Sequence, residues 1–236
     1  MGKKDYLCSM KQMFKILSVY GIAYFLLLML VFGLQFVYPK LELHLLLNSH
    51  HTVILDFFFK YYSVLAEWPL YILMLLPLLW KKYSMTIFFA ISELSAGAVL
   101  QILKHFISAP RPASAFEHYQ NITLPMVEGV NMHYGNSFPS GHASTFFVFC
   151  TCTAIILAYR YQQNATQNDP KTKILINLFL LSLLVPAAAL GAYSRIYLSQ
   201  HFLSDVCVGS IIGFVTPWLV FYFGRNKILK LKMNET

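Results

Sequence analysis

The chain has 236 residues, 57% of them hydrophobic and only 12% charged, with a mean hydropathy of +0.56. A soluble domain of this size carries about 25% charged residues, so the composition excludes an ordinary water-soluble enzyme and points to a surface that meets lipid. The formal charge of +8 does not indicate nucleic acid, because no basic stripe is interleaved with aromatics.

Six segments are apolar enough to cross a bilayer, which takes about 20 residues each: 14–37, 62–80, 84–107, 142–160, 173–193 and 202–223. The first is too long for a cleavable signal and no small-residue site follows it, so it is expected to remain as a span. Between the spans lie the cation clusters Lys3, Lys4, Lys11 and Lys15; Lys81 and Lys82; Arg160, Lys171 and Lys173; and Arg225, Lys227, Lys230 and Lys232. A cytoplasmic N-terminus puts all four on one side, with 13 of the 18 Lys and Arg residues, as the positive-inside rule favours. Both termini are then cytoplasmic, and 38–61, 108–141 and 194–201 face the other compartment.

The expected fold is an all-α integral membrane protein, one domain over 1–236, with six transmembrane helices. The mixed segment 41–61 reads as a helix lying in the outer interface. Its His44, His50 and His51 lack a carboxylate or cysteine that completes a metal-ligand spacing. The loop 108–141, with Pro110, Pro112, Pro125 and Pro139, is irregular and must sit at the water interface. Gln162–Asp169 reads as a polar cytoplasmic turn. Cys8, Cys150, Cys152 and Cys207 read as buried thiols, with no disulfide or metal site. The sequons at Asn121 and Asn164 are too short a pattern to assign a role.

Unusual polar residues gather at the outer ends of the spans. Lys104 ends the third, Arg111-Pro112 follows it, Pro139-Ser140-Gly141-His142 opens the fourth, Ser194-Arg195 closes the fifth, and His201 and Asp205 open the sixth. Ionisable groups at the edge of an apolar bundle need a reason to be there. His201 and Asp205, at i,i+4, would share a helical face, the carboxylate orienting the ring so that Nε2 is a nucleophile. Lys104, Arg111 and Arg195 could neutralise a phosphoryl group in transfer. Ser140 and Gly141, where a loop enters a helix, could cradle phosphate, and His142 could protonate the leaving oxygen and then activate water. No metal or other cofactor is expected, since the cations supply the charge.

Lys104-x6-Arg111-Pro112, Pro139-Ser140-Gly141-His142 and Ser194-Arg195-x5-His201-x3-Asp205 resemble all three signatures of the type 2 phosphatidic acid phosphatase (PAP2) superfamily. The resemblance extends to the six-span layout, unlike the soluble haloperoxidases of that superfamily. It implies a membrane lipid phosphatase of its bacterial branch, with His201 as nucleophile, Asp205 as its partner and His142 as acid and base. Lys104, Arg111, Ser140, Gly141 and Arg195 are then phosphate ligands. The implied partners are the bilayer and a phosphorylated lipid: phosphatidate, phosphatidylglycerol phosphate, an isoprenyl diphosphate such as undecaprenyl diphosphate, or lipid A phosphate. The implied place is the bacterial inner membrane, with the site facing the periplasm. Two rival readings are a lipid-binding or lipid-moving protein without turnover and a phosphatase for a small soluble ester.

Other polar residues carry weaker expectations. Glu93, three helical turns below Lys104, reads as an interhelical hydrogen-bond partner, with Gln101 between them. Glu67 meets either a headgroup or Lys60. His105 points away from the site. Tyr193 and Tyr197 pack on a lipid chain or join the interfacial aromatic belt. Glu117, His118, Glu128 and His133 lie in a loop that covers the site.

Overall fold

A computed structural model describes residues 3–117, 119, 122–163 and 169–228, without the side chains of 3–12, 163 and 225–228. His118, Asn121, Asn164, Lys230 and Lys232, and the side chains of Cys8, Lys3, Lys4, Lys11, Arg225 and Lys227, lie outside the described residues. The described chain is helical: α1 (Lys3–Val37), α2 (Lys40–Leu47), α3 (Val53–Val64), α4 (Pro69–Leu75), α5 (Tyr83–Phe106), α6 (Pro112–Phe116), α7 (Gly141–Gln163), α8 (Pro170–Phe179), α9 (Val185–Tyr197) and α10 (Leu203–Ile228).

Among the described residues five stretches are each long and apolar enough to cross a membrane: Met13–Val37, Tyr83–Phe106, Gly141–Gln162, Pro170–Tyr197 and Leu203–Gly224. The sixth candidate crossing is a bent pair of helices. Val53–Val64 and Pro69–Trp80 are bent by 45° at the break between them. The residue before Pro69 is biased out of the helical region, and Trp68 sits outside it at ψ −30° and φ −122°. The fifth crossing contains a π turn at Leu180–Leu184, just before Pro186, which has no N–H to continue the ladder.

The single interfacial helix expected over 41–61 is two helices. The polar run Asn48–Thr52 interrupts it, and Thr52 starts α3 by accepting the Leu55 N–H. α2 remains a short amphipathic piece, burying Leu43 and His44, while α3 is the first half of the broken crossing. Its Val53, Ile54 and Phe57 are exposed apolar groups, as a lipid-facing surface requires.

α7 lies in the middle of the bundle, and α10 packs along it. Gly209 and Gly213, one turn apart on α10, allow the contact: a Cβ on either would come within 2.3 Å of the Ser140 or Ser144 carbonyl oxygen. This small-xxx-small approach is how membrane helices gain dispersion energy without a hydrophobic drive. Around it Tyr20 and Tyr24 of α1 stack on Phe214, and their hydroxyls meet Thr151 at 3.2 Å and Ser210 at 3.1 Å. Cys150, Cys152 and Cys207 are buried free thiols.

Candidate active site

The close α7–α10 contact sets the geometry at one end of the bundle. Ser140, immediately before α7, donates its N–H to the Asp205 carbonyl at 2.9 Å, so two sequence-distant motifs are joined backbone to backbone. Asp205 is the third residue of α10. Its Oδ2 accepts the Phe202 N–H at 3.0 Å, the reciprocal half of a capping box, and its Oδ1 accepts from Ser204 at 3.2 Å.

His201 is not on the helix with Asp205, contrary to the expected shared face. It lies in the turn before α10, where the N–H groups of Gln200 and His201 both donate to the Arg195 carbonyl, at 2.9 and 3.1 Å. Its Nδ1 is 3.8 Å from Asp205 Oδ2. The Ser137 hydroxyl bridges the two, donating to Asp205 Oδ2 at 2.5 Å and lying 3.4 Å from His201 Nδ1. The ring is 2% exposed, and that burial pushes its pKa down to about 4; Asp205 opposes the shift, while Arg195 and Arg111 add to it. A neutral imidazole with Nδ1 turned to Ser137 and Asp205 carries its free lone pair on Nε2.

Three cations converge on this end. Arg111 donates through Nε to the Gly135 carbonyl at 2.9 Å, and through Nη1 to the Gln200 carbonyl and side-chain oxygen at 3.1 and 3.2 Å. Burial lowers its pKa, with Asp205 opposing. Lys104 reaches the Asn136 carbonyl at 3.4 Å. Arg195, 8% exposed, donates to Ser63 Oγ at 2.6 Å, and its buried Nε has no hydrogen-bond partner among the described residues. Among those residues none of the three is in an ion pair with a carboxylate. Buried or half-buried cations in an apolar bundle need an anion.

Ser140 is buried and caps α7, its Oγ accepting the Ala143 N–H at 3.4 Å. Its own N–H is engaged by Asp205, so the expected backbone cradle starts at Gly141. Space beside Gly141 is open, with nothing within 4 Å of a Cβ there. His142 follows, half-buried, with Nε2 lacking a hydrogen bond among the described residues and lying 3.6 Å from Glu67 Oε1.

A polar cavity of about 260 Å³ opens onto these groups, lined by Lys60, Ser63, Glu67, His133, His142 and Arg195 among others. Its positive field reaches His133, whose pKa is lowered by burial and then by Arg111 and Arg195. Lys60 donates to the Glu128 carbonyl at 2.9 Å, which leaves Glu67 to His142. Glu93 is an interhelical acceptor, as expected: Thr145 donates to it at 2.7 Å and Tyr71 at 3.1 Å. Gln101 and His105 are exposed on α5, and Glu117 and Glu128 are exposed in the loop. Tyr193 and Tyr197 have structural tasks as well as apolar contacts. Tyr193 donates to the Leu47 carbonyl at 2.7 Å, and Tyr197 to Asp56 Oδ1 at 2.5 Å, tying α9 to α2 and α3.

Sequence reasoning missed Ser137, Gln200, Asn136 and Ser63, which hold the charged side chains in place. Ser137 had a signal, two residues ahead of Pro139. Asn136 takes a left-handed φ of 53° that presents its carbonyl to Lys104; asparagine tolerates that conformation. Gln200 and Ser63 carry no local pattern.

A profile of the PAP2 superfamily matches residues 85–229. The dolichyldiphosphatase of Saccharomyces cerevisiae is 28% identical over 196 residues, covering 79% of this chain and 70% of that protein. The crystal structure of Aquifex aeolicus LpxE has the same fold, with a TM-score of 0.57 and 23% identity over 78% of this chain and 94% of its own. With the match running from the start of α5 through α10 and including every residue of the three motifs, the chain belongs to the PAP2 superfamily.

Proposed function

We propose that this chain is a metal-independent lipid phosphatase that hydrolyses a phosphate monoester or diphosphate on a lipid headgroup through a phosphohistidine. His201 Nε2 attacks phosphorus, the bond to the leaving oxygen breaks, and His142 gives that oxygen its proton. Water then attacks phosphorus while His142 takes the water's proton, the phosphorus–nitrogen bond breaks to return the lone pair to His201 Nε2, and phosphate leaves. Asp205 holds the His201 ring through Ser137. Lys104, Arg111 and Arg195 balance the charge on the equatorial oxygens, with the Ser140 hydroxyl and the Gly141 backbone as further ligands. The observation that carries this reading is the set of three cations, none in an ion pair with a carboxylate among the described residues, beside two buried or half-buried imidazoles.

A lipid fits better than a small soluble ester. A second cavity of about 200 Å³, lined by Leu27, Leu28, Val31, Ala192, Val206 and other apolar groups, runs between α1, α9 and α10, where hydrocarbon is the matching occupant. Among lipids, the relative named dolichyldiphosphatase favours a polyprenyl diphosphate such as undecaprenyl diphosphate. Lipid A phosphate and phosphatidylglycerol phosphate are the next candidates. The cation clusters favour cytoplasmic termini and a site on the opposite face, the periplasmic one in a bacterial inner membrane, with 1–236 acting as one domain.

The test is phosphate release in detergent by the purified wild type and His201→Ala across those three lipids and phosphatidate. Release by the wild type alone is expected, fastest on the polyprenyl diphosphate. Equal release by both proteins overturns the mechanism. Binding of the lipids without release by either favours a lipid carrier.

A further inference from the structure

Glu67 lies outside the three motifs that define the site, in the break between α3 and α4. It is half exposed at the mouth of the polar cavity, and its Oε1 is 3.6 Å from Nε2 of His142, which has no hydrogen-bond partner among the described residues. We propose that Glu67 is a positioning residue for His142: it holds the Nε2–H, fixes the tautomer, and keeps the imidazolium form available to the leaving oxygen through Nδ1. This rests on the phosphatase reading above.

The charges around His142 explain why a carboxylate is needed there. A protonated His142 shares its surroundings with Arg195, His201, Arg111 and Lys104. Lys60 from α3 and His133 from the loop line the same cavity. The two other carboxylates nearby are occupied. Asp205 holds Ser137, Ser204 and the Phe202 N–H, and Glu93 accepts from Thr145 and Tyr71. Glu67, whose charge also acts on Arg195 across the same cavity, is therefore the acceptor within reach of His142 among the described residues. At 3.6 Å the contact is just longer than a hydrogen bond, and a catalytic contact of this kind can tighten in the substrate complex.

The proton balance follows. In the first step the ring carries both N–H groups, with Nε2–H on Glu67 and Nδ1–H on the leaving oxygen. Donation leaves neutral His142 protonated at Nε2, so its lone pair is on Nδ1, the nitrogen assigned to the leaving oxygen. In the second step that lone pair takes the proton of the attacking water, and the imidazolium is restored. Glu67 stays ionised throughout. The structural break between α3 and α4 places it: in a continuous helix through Pro69, residue 67 would be fixed in the ladder rather than in a turn.

The experiment compares pH–rate profiles of the wild type, Glu67→Gln and Glu67→Asp, each with a lipid phosphate and with an aryl phosphate whose acidic phenol departs unassisted. For the lipid substrate, Glu67→Gln should move the basic limb of kcat about one unit to lower pH, with a rate about tenfold lower on that limb. KM should stay within about twofold. Glu67→Asp, which keeps the charge, should fall between the two, and the burst of phenol from the aryl phosphate, which needs no general acid, should show little penalty. A Glu67→Gln profile that overlays the wild type, or one lowered by the same factor at every pH and on both substrates, overturns the proposal. Loss of turnover in the wild type itself, or turnover retained by His201→Ala, would instead remove the phosphatase reading and this inference with it.

Discussion

The Ser137 hydroxyl donates to Asp205 Oδ2 at 2.5 Å and stands 3.4 Å from His201 Nδ1, nearer to both than they are to each other. The carboxylate thus orients the imidazole through a third side chain, and it is itself held by the first turn of α10. Removing the bridge loses one hydrogen bond to a charged group, an interaction of about 1.5–3 kcal/mol. Ser137→Ala is expected to lower kcat about tenfold with KM within about twofold, and Asp205→Ala to lower it further. A Ser137→Ala enzyme with wild-type kcat would show that the ring is oriented without the bridge.

Gly209 controls whether the site assembles at all. A Cβ there meets the Ser140 carbonyl oxygen at 2.3 Å, and that backbone cannot yield without moving Gly141 and His142. Gly209→Val should lower the unfolding midpoint, with an overpacking cost of about 1–3 kcal/mol, and reduce phosphate release at least tenfold. Gly97→Ala, with nothing within 4 Å of the added methyl, serves as the control and should leave both unchanged. Equal stability and activity for the two variants would contradict the close helix contact.

Protonation of buried histidines should weaken the fold in acid. His201 and His44 are both held down to about 4, mainly by burial. The unfolded chain therefore binds protons at these positions as pH falls below about 6.5, before the folded chain does. Their contribution is constant above that range and turns progressively destabilising between about 6.5 and about 4. The thermal midpoint should fall across this window, and His44→Phe should flatten part of the fall. Parallel curves for wild type and His44→Phe would rule out that contribution.

Charge neutralisation by Lys104, Arg111 and Arg195 makes a metal unnecessary to the proposed chemistry. Turnover should survive EDTA, and vanadate, whose five-coordinate form resembles the transferring phosphoryl group, should inhibit competitively. Complete loss in EDTA, restored by a divalent ion, would contradict this part of the mechanism.

Much of this was legible because membrane spans and charged motifs leave strong local marks. The apolar runs located α1, α5, α7, α9 and α10, and the positions of Lys104, Arg111, His142, Arg195, His201 and Asp205 followed from ionisable groups at span ends. The second crossing was harder, since α3 is long in aromatics and carries Asp56 and Lys60, which a hydropathy reading takes for an interfacial piece. The spacing of His201 and Asp205 suggested a helix where the chain makes a turn, because the Arg195 carbonyl and the Asp205 cap act through backbone groups. Ser137, Gln200 and Glu67 gain their meaning only from tertiary proximity.

The central claim is that phosphate passes through His201. Rapid alkaline quenching during turnover on the preferred lipid, followed by mass spectrometry at a pH that preserves the acid-labile phosphohistidine, tests it most directly. A phosphoryl group on His201 that forms and decays at rates matching kcat, is absent from His201→Ala and accumulates in His142→Ala with an activated leaving group, is the expected result. Steady turnover with the phosphoryl group on another residue would contradict it.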